Sequence, residues 1–252
     1  MSLFLRRLAI LVAVWLLAAA LSADPLISLA VVPFGNLSSY SGHLLERRVA
    51  AALAAEARAP WAPVDPVLVQ RTLEEMSAPS PPGTGEIQAL CRRLPASLAL
   101  HGALSSAQVD ATSARVTLSV ELLEPLSGEA IGHARVEGRA ESRDPLPRDQ
   151  LLDQALAHAA RAALQALGVP HAVGQLTPPE RGKPLTVLLT KGAWAPVKSL
   201  LLLLPAAPEG PASPVAAVAV EKLSGGVAEL RLLGRRDGST GGEVAVWVGR
   251  LP

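Results

Sequence analysis

The sequence predicts an α+β protein: an antiparallel-dominated sheet with helices on one face, followed by a small all-β, barrel-like domain. Three observations carry this. Apolar and polar residues alternate strictly over 115–122 and 134–141, as a sheet with one wet face requires. Apolar residues recur at helical spacing over about 41–58 and 146–167. Beyond residue 184 there are only short strand-like runs separated by Gly, Pro and Asp-Gly turns.

Taken in order, Leu26 to Phe34 is a short apolar run with β-branched residues and reads as a buried strand. Pro33 ends it, because proline cannot donate to a ladder. Pro33, Phe34, Gly35 and Asn36 then form the expected structural turn, with Gly35 and Asn36 able to take left-handed backbone there. A helix follows to about Arg58, with Leu45, Val49, Ala52 and Leu53 on one side. Trp61 to Val64 is a short extended piece between prolines. Pro66 to Met76 is the next helix, with Asp65 as N-cap and Pro66 at its first position. Ser77 to Gly85 is a loop and Glu86 to Leu94 a short helix. Ala96 to Glu141 holds the β meander, turning at Pro125 to Gly128. Leu146 to Leu167 is an amphipathic helix stopped by Gly168 and Pro170. Residues 24–168 are thus read as an α+β interaction domain, 169–184 as a Pro- and Gly-rich linker and 185–252 as the small barrel. Within the barrel, Pro196 and Pro205 confine Ser199 to Leu204 to a strand's length.

The chain has 252 residues, 50% apolar, 18% charged and 3% aromatic, with a single cysteine. That is enough aliphatic material for real cores, and too little charge for a disordered chain. One Cys cannot close a bridge within the chain, which excludes a disulfide scaffold. Residues 1–23 read as a cleaved signal peptide: Arg6 and Arg7, an uninterrupted apolar run of 14 residues from Leu8 to Leu21, then Ser22 and Ala23. As a helix that run reaches roughly 21 Å, short of a hydrocarbon core of about 30 Å, which favours cleavage over the alternative of a retained anchor. With those two arginines removed, 21 basic residues face 22 acidic ones, a net of −1. That balance points to neither a nucleic-acid binder nor a polybasic membrane binder. No cysteine lies near the cleavage point, so no lipid anchor is expected. The Ala-, Leu-, Pro- and Arg-rich composition fits a bacterial protein exported to the periplasm or outer envelope.

No constellation for chemistry emerges. His43, His101, His133, His158 and His171 fall in five different elements without metal-binding spacing. Cys91 sits beside Leu90 and Leu94 and reads as a buried, inert thiol. Gly83-Thr84-Gly85 does not follow a strand, and Gly238 to Gly242 does not lead into a helix, so neither cradles phosphate. The exported chain has only Phe34, Tyr40, Trp61, Trp194 and Trp247 as aromatic rings, too dispersed for a stacking platform. No catalytic residue, cofactor or metal is expected. Of the polar residues, His101 and Asp110 are the ones a hydrolase reading would use. Arg135, Glu137 and Arg139 line the outward side of the last meander strand with alternating charge; they are the candidate interaction face, against a plain solvated face with cross-strand pairs.

Ala30 to Ser38 (AVVPFGNLS) resembles the opening strand and turn of a family of bacterial envelope domains. That family includes the N-terminal domain of the Tol translocation protein B, the curli secretion protein G and the middle domain of flagellar assembly protein T. Val69 to Leu73, Leu98 to Gly102 and Leu126 to Glu129 are similar to further pieces of it, in the same order. The barrel resembles the C-terminal domain of flagellar assembly protein T, notably at Lys191-Gly192-Ala193. The resemblance implies a protein-interaction module without catalytic residues, working among envelope proteins and compatible with self-association. The expectation is therefore a non-enzymatic periplasmic assembly or scaffold protein resembling flagellar assembly protein T. The alternative is a regulator of an envelope enzyme or secretion pore, like a cell-wall synthase activator or a curli-secretion component.

Overall fold

In a computed structural model of the chain, residues 26–41, 44–178, 184–205, 214–235 and 243–251 are described. The expected signal peptide, His43 and Gly238 to Gly242 lie outside them. The first domain is a mixed sheet in the order β3-β1-β4-β5-β6: β1 Ile27–Val31, β3 Trp61–Pro63, β4 Leu98–Val109, β5 Ser113–Glu124 and β6 Glu129–Glu141. A two-residue strand, β2 Gly35–Asn36, pairs with β4 in parallel. β1 runs parallel to β3 and β4, whereas β4, β5 and β6 form the antiparallel meander.

The α+β class stands, but the helices occupy both faces of the sheet instead of one. α1 Leu45–Glu56 and α4 Arg148–Leu167 pack on the face of Ile27, Leu29 and Val31. α2 Pro66–Glu75 and α3 Thr84–Arg93 pack on the face of Ala30 and Val32. The reason lies in the parallel strands. β1 sits between β3 and β4, so the two crossovers run in opposite lateral directions, and right-handed crossovers then lie on opposite faces. As expected, Asp65 caps α2, its carboxylate accepting from the Val67 N–H at 2.9 Å. Gly168, with φ +85°, ends α4.

Glycines set two close approaches. α4 lies directly on β6 at Gly138, where an added Cβ would stand 2.0 Å from the Ala155 carbonyl oxygen. Gly102 in β4 has φ +152°, and a Cβ there would stand 2.0 Å from the Ser119 carbonyl oxygen and 3.0 Å from the Phe34 ring. α1 and α4 are tied by Arg48 to Asp149 and Asp153, both at 2.7 Å, and by Arg161 to Glu56 at 3.1 Å. Burial works against the Arg48 charge, but its hydrogen bonds to the two aspartates outweigh it and hold the guanidinium above its ordinary pKa. These carboxylates are largely exposed except Glu56, so screening keeps each pair to about 1 kcal/mol or less. Glu124 is fully buried because its carboxylate accepts from the Leu126 and Ser127 N–H groups and the Ser127 hydroxyl, bracing the β5–β6 turn.

The second domain is a closed antiparallel barrel in the order β10-β11-β8-β7-β12-β9. Its strands are β7 His171–Leu176, β8 Leu185–Leu189, β9 Ser199–Leu204, β10 Ala216–Ser224, β11 Val227–Arg235 and β12 Val244–Arg250. β7 lies inside the stretch read as linker, paired with both β12 and β8. Its Gly174 is what a linker reading takes as flexibility; here it permits contact, since a Cβ would stand 2.2 Å from the Leu188 carbonyl oxygen.

β9 is buried along its whole length on both sides. Leu201 and Leu203 join the barrel interior, and Leu200, Leu202 and Leu204 join the core of the first domain together with Val246 and Val248. Backbone meets backbone at this junction. A Cβ on Gly249 would stand 2.5 Å from the Ile131 carbonyl oxygen, and one on Gly234 would stand 2.7 Å from Leu126 Cβ.

Gly102 and Gly35 should respond differently to a methyl group. Gly102→Ala is expected to cost about 3 kcal/mol or more in urea unfolding. Gly35→Ala, where a Cβ meets nothing nearer than 3.5 Å, should cost about 1 kcal/mol or less.

Candidate functional site

A crevice opens where the crossovers diverge. α1 leaves the carboxyl end of β1 to one face and α2 leaves the end of β3 to the other, so a gap remains outside the strand ends, the usual place for a ligand in such sheets. Its volume is about 430 Å³. Val31 and Pro33 line it from the end of β1, Ala50 and Ala51 from α1, and Pro66, Val67 and Val69 from α2. A smaller recess of about 110 Å³ shares Pro33, Arg47, Gln70 and Glu74 with it and adds Leu44, Glu46, Leu73 and the 78–80 loop. Val67 is 73% exposed at its mouth. Arg47 meets Glu74 across the opening at 3.4 Å, and Gln70 donates to the same carboxylate at 2.7 Å. The walls are apolar and the polar groups sit at the rim. Such a site suits an aliphatic side chain or a short extended segment, oriented by Arg47, Gln70 and Arg71.

The turn residues do not act as a unit. Pro33 lies in the crevice, whereas Phe34 is a fully buried core side chain beneath Gly102. Gly35 is a strand residue outside the left-handed region, paired with Ala103, so its small size is not used for the conformation the sequence suggests. Asn36 does shape the turn. Its Oδ1 accepts from the Ser38 N–H at 3.0 Å and hydroxyl at 2.6 Å, and its Nδ2 donates to the Tyr40 carbonyl at 3.0 Å.

Arg135, Glu137 and Arg139 lie on the outward side of β6, away from the core, as the alternation implies. Two of the three are spoken for: Glu137 is gripped by Arg139 and by Arg115 on β5 at 3.1 Å. The hydrogen bond from Arg139 is the main cause holding the Glu137 carboxyl below its ordinary pKa.

His101 and Asp110 are not brought together. They are nine residues apart on or just beyond the single strand β4, about 30 Å of extended chain. Asp110 braces the β4–β5 turn, facing the Ser113 hydroxyl. His101 stands in register with Glu121 and His133 across three strands. Its Nε2 is 3.4 Å from Glu121 yet is buried without a hydrogen bond. Among the described residues no three His, Cys, Asp or Glu side chains converge to hold a metal ion. Cys91 is buried in the α2–α3 core. No helix among the described residues is long and apolar enough to cross a membrane.

Burial pushes the His101 pKa down, with Glu121 opposing. A lowered folded-state value means that the unfolded chain takes up the proton first, so stability falls as pH drops from about 6.5 through the folded value. Melting temperatures measured from pH 7 to pH 5 should therefore fall less steeply in His101→Gln than in the parent protein.

No protein-family model matches the chain. No curated protein matches it in sequence. Among solved structures, similar chain paths occur in lipoprotein GNA1162 from Neisseria meningitidis, at 16% identity over 50% of this chain and 90% of that one, with a TM-score of 0.37. The PelC dodecamer from Paraburkholderia phytofirmans matches at 16% identity over 56% and 93%, with a TM-score of 0.37. The C-terminal domain of LpoB from Escherichia coli matches at 18% identity over 46% and 83%, with a TM-score of 0.34.

Proposed function

We propose that this protein is a non-enzymatic scaffold of the bacterial cell envelope, exported by its leader, that holds a segment of a protein partner in the α1–α2 crevice. The observation that supports it best is the character of that crevice: apolar walls, an exposed Val67 at the mouth, and rim charges already engaged with one another. Among its described lining residues the one carboxylate, Glu74, is held by Arg47 and Gln70 and is not paired with a nucleophile. Binding energy here comes from removing apolar surface from water, about 25 cal/mol per Å² before ordering costs. The envelope setting rests on residues 1–23 and on the resemblance carried by Ala30 to Ser38. A regulator of an envelope enzyme or secretion pore would use the same crevice and differ only in the protein bound.

A photo-crosslinking residue placed at position 67 in living cells tests this. It should give one defined adduct with an envelope protein, whose identity separates scaffold from regulator. Ala51→Glu, on the exposed wall of α1, should abolish that adduct while changing stability by about 0.5 kcal/mol or less. Adducts from position 135 and none from position 67 would move the function to the charged side of β6.

A further inference from the structure

The near-zero net charge hides a segregation of cation types. The chain has four lysines, Lys183, Lys191, Lys198 and Lys222, all within the barrel region, and every other basic residue is arginine. Three of the lysines come together at one end of the barrel. β8 ends there and β9 begins there, joined by the 190–198 loop, and the β10–β11 hairpin turns at the same end. The loop is pinned across that end by two backbone bonds, Thr190 N–H to the Val173 carbonyl and Lys198 N–H to the Val220 carbonyl.

Within the loop, Ala195 is buried in the barrel core and Ala193 packs against it. Trp194, between them, is therefore turned outward and is 64% exposed. Val197 in the same loop is 44% exposed, and Leu223 on the hairpin is 41% exposed. Lys191, Lys198 and Lys222 flank these three side chains, and Arg250 closes β12 at this end. The hairpin's carboxylates are already taken: Glu221 by Arg231 at 3.0 Å and Glu229 by Lys222 at 3.2 Å. Among the described residues, Lys191 and Arg250 are the cations at this end without a carboxylate partner. The first domain covers the β9 and β12 side of the barrel and leaves the hairpin tip open.

We propose that this end of the barrel docks on an anionic phospholipid bilayer, with Trp194, Val197 and Leu223 entering the headgroup boundary and Lys191 and Arg250 meeting lipid phosphates. An exposed indole with aliphatic neighbours prefers that boundary, where one edge is apolar and the other wet. Lysines gain from the negative surface, roughly fivefold in affinity each, and lose that gain in salt. The surface is separate from the α1–α2 crevice, so it would hold the protein against a membrane while the crevice engages its partner.

Co-sedimentation of the full chain with vesicles tests it. Vesicles of phosphatidylethanolamine and phosphatidylglycerol at 3:1 should bind the protein, and pure phosphatidylcholine vesicles at least tenfold less. Trp194→Ala should weaken binding tenfold or more at unchanged melting temperature, and Lys191→Gln about fivefold, with the Lys191 loss disappearing at high salt. Val67→Ala, at the crevice, should bind like the parent. Equal binding by Trp194→Ala and the parent overturns the proposal, as does no sedimentation of the parent with anionic vesicles. Loss on Val67→Ala would assign the contact to the crevice and overturn it too.

Discussion

Strand β9 holds the two domains of this protein together. Five consecutive leucines between Ser199 and Pro205 cannot serve a barrel that is wet on its outside; strict alternation would put Leu200, Leu202 and Leu204 into water. The fold resolves this by seating the barrel on the first domain, so one strand supplies two cores. Each of those three side chains gains about 2 kcal/mol on burial, and Val246 and Val248 on β12 add to the same surface. Gly249 and Gly234 allow the backbones to close against Ile131 and Leu126, and a methyl at either would force them apart. Trp247 sits against Gly168 at the end of α4, joining the last helix of one domain to the last strand of the other.

This seating has functional consequences. With β9 and β12 committed to the junction, the hairpin and loop end that carries Lys191 and Trp194 stays open. With α4 and α1 tied on one face of the sheet and α2 and α3 on the other, an apolar crevice lined by Val31, Pro33 and Val67 stays open between α1 and α2. The proposed scaffold role would draw on this seating, because the distance between the two proposed contacts would be fixed by the core and not by a linker.

Much of the fold was legible in the sequence, because periodicity reports local burial directly. Val116 to Leu122 and Ala134 to Ala140 show which side of the meander is wet, and Asp65-Pro66 marks the start of α2. What periodicity could not report depends on partners distant in the chain. β7 looked like a linker because His171 to Leu176 is short and carries Gly174, whose role appears only when Leu188 is placed beside it. Gly35 and Gly102 look alike in the sequence, yet only Gly102 takes the left-handed backbone. The crevice was illegible because its lining comes from the end of β1, α1 and α2 and its existence from the order β3-β1-β4; Pro33 marks the turn in the sequence, not the site. The outward place of Arg135, Glu137 and Arg139 was legible, but not their pairing with Arg115, which needs the β5–β6 register.

Because β9 supplies both cores, the two domains should unfold as one cooperative body. Scanning calorimetry of the full chain tests it most directly. A single transition is expected, with calorimetric and van't Hoff enthalpies in agreement. Two resolved transitions, or a van't Hoff enthalpy near half the calorimetric one, would contradict it and return the barrel to the status of an independent domain on a flexible tether.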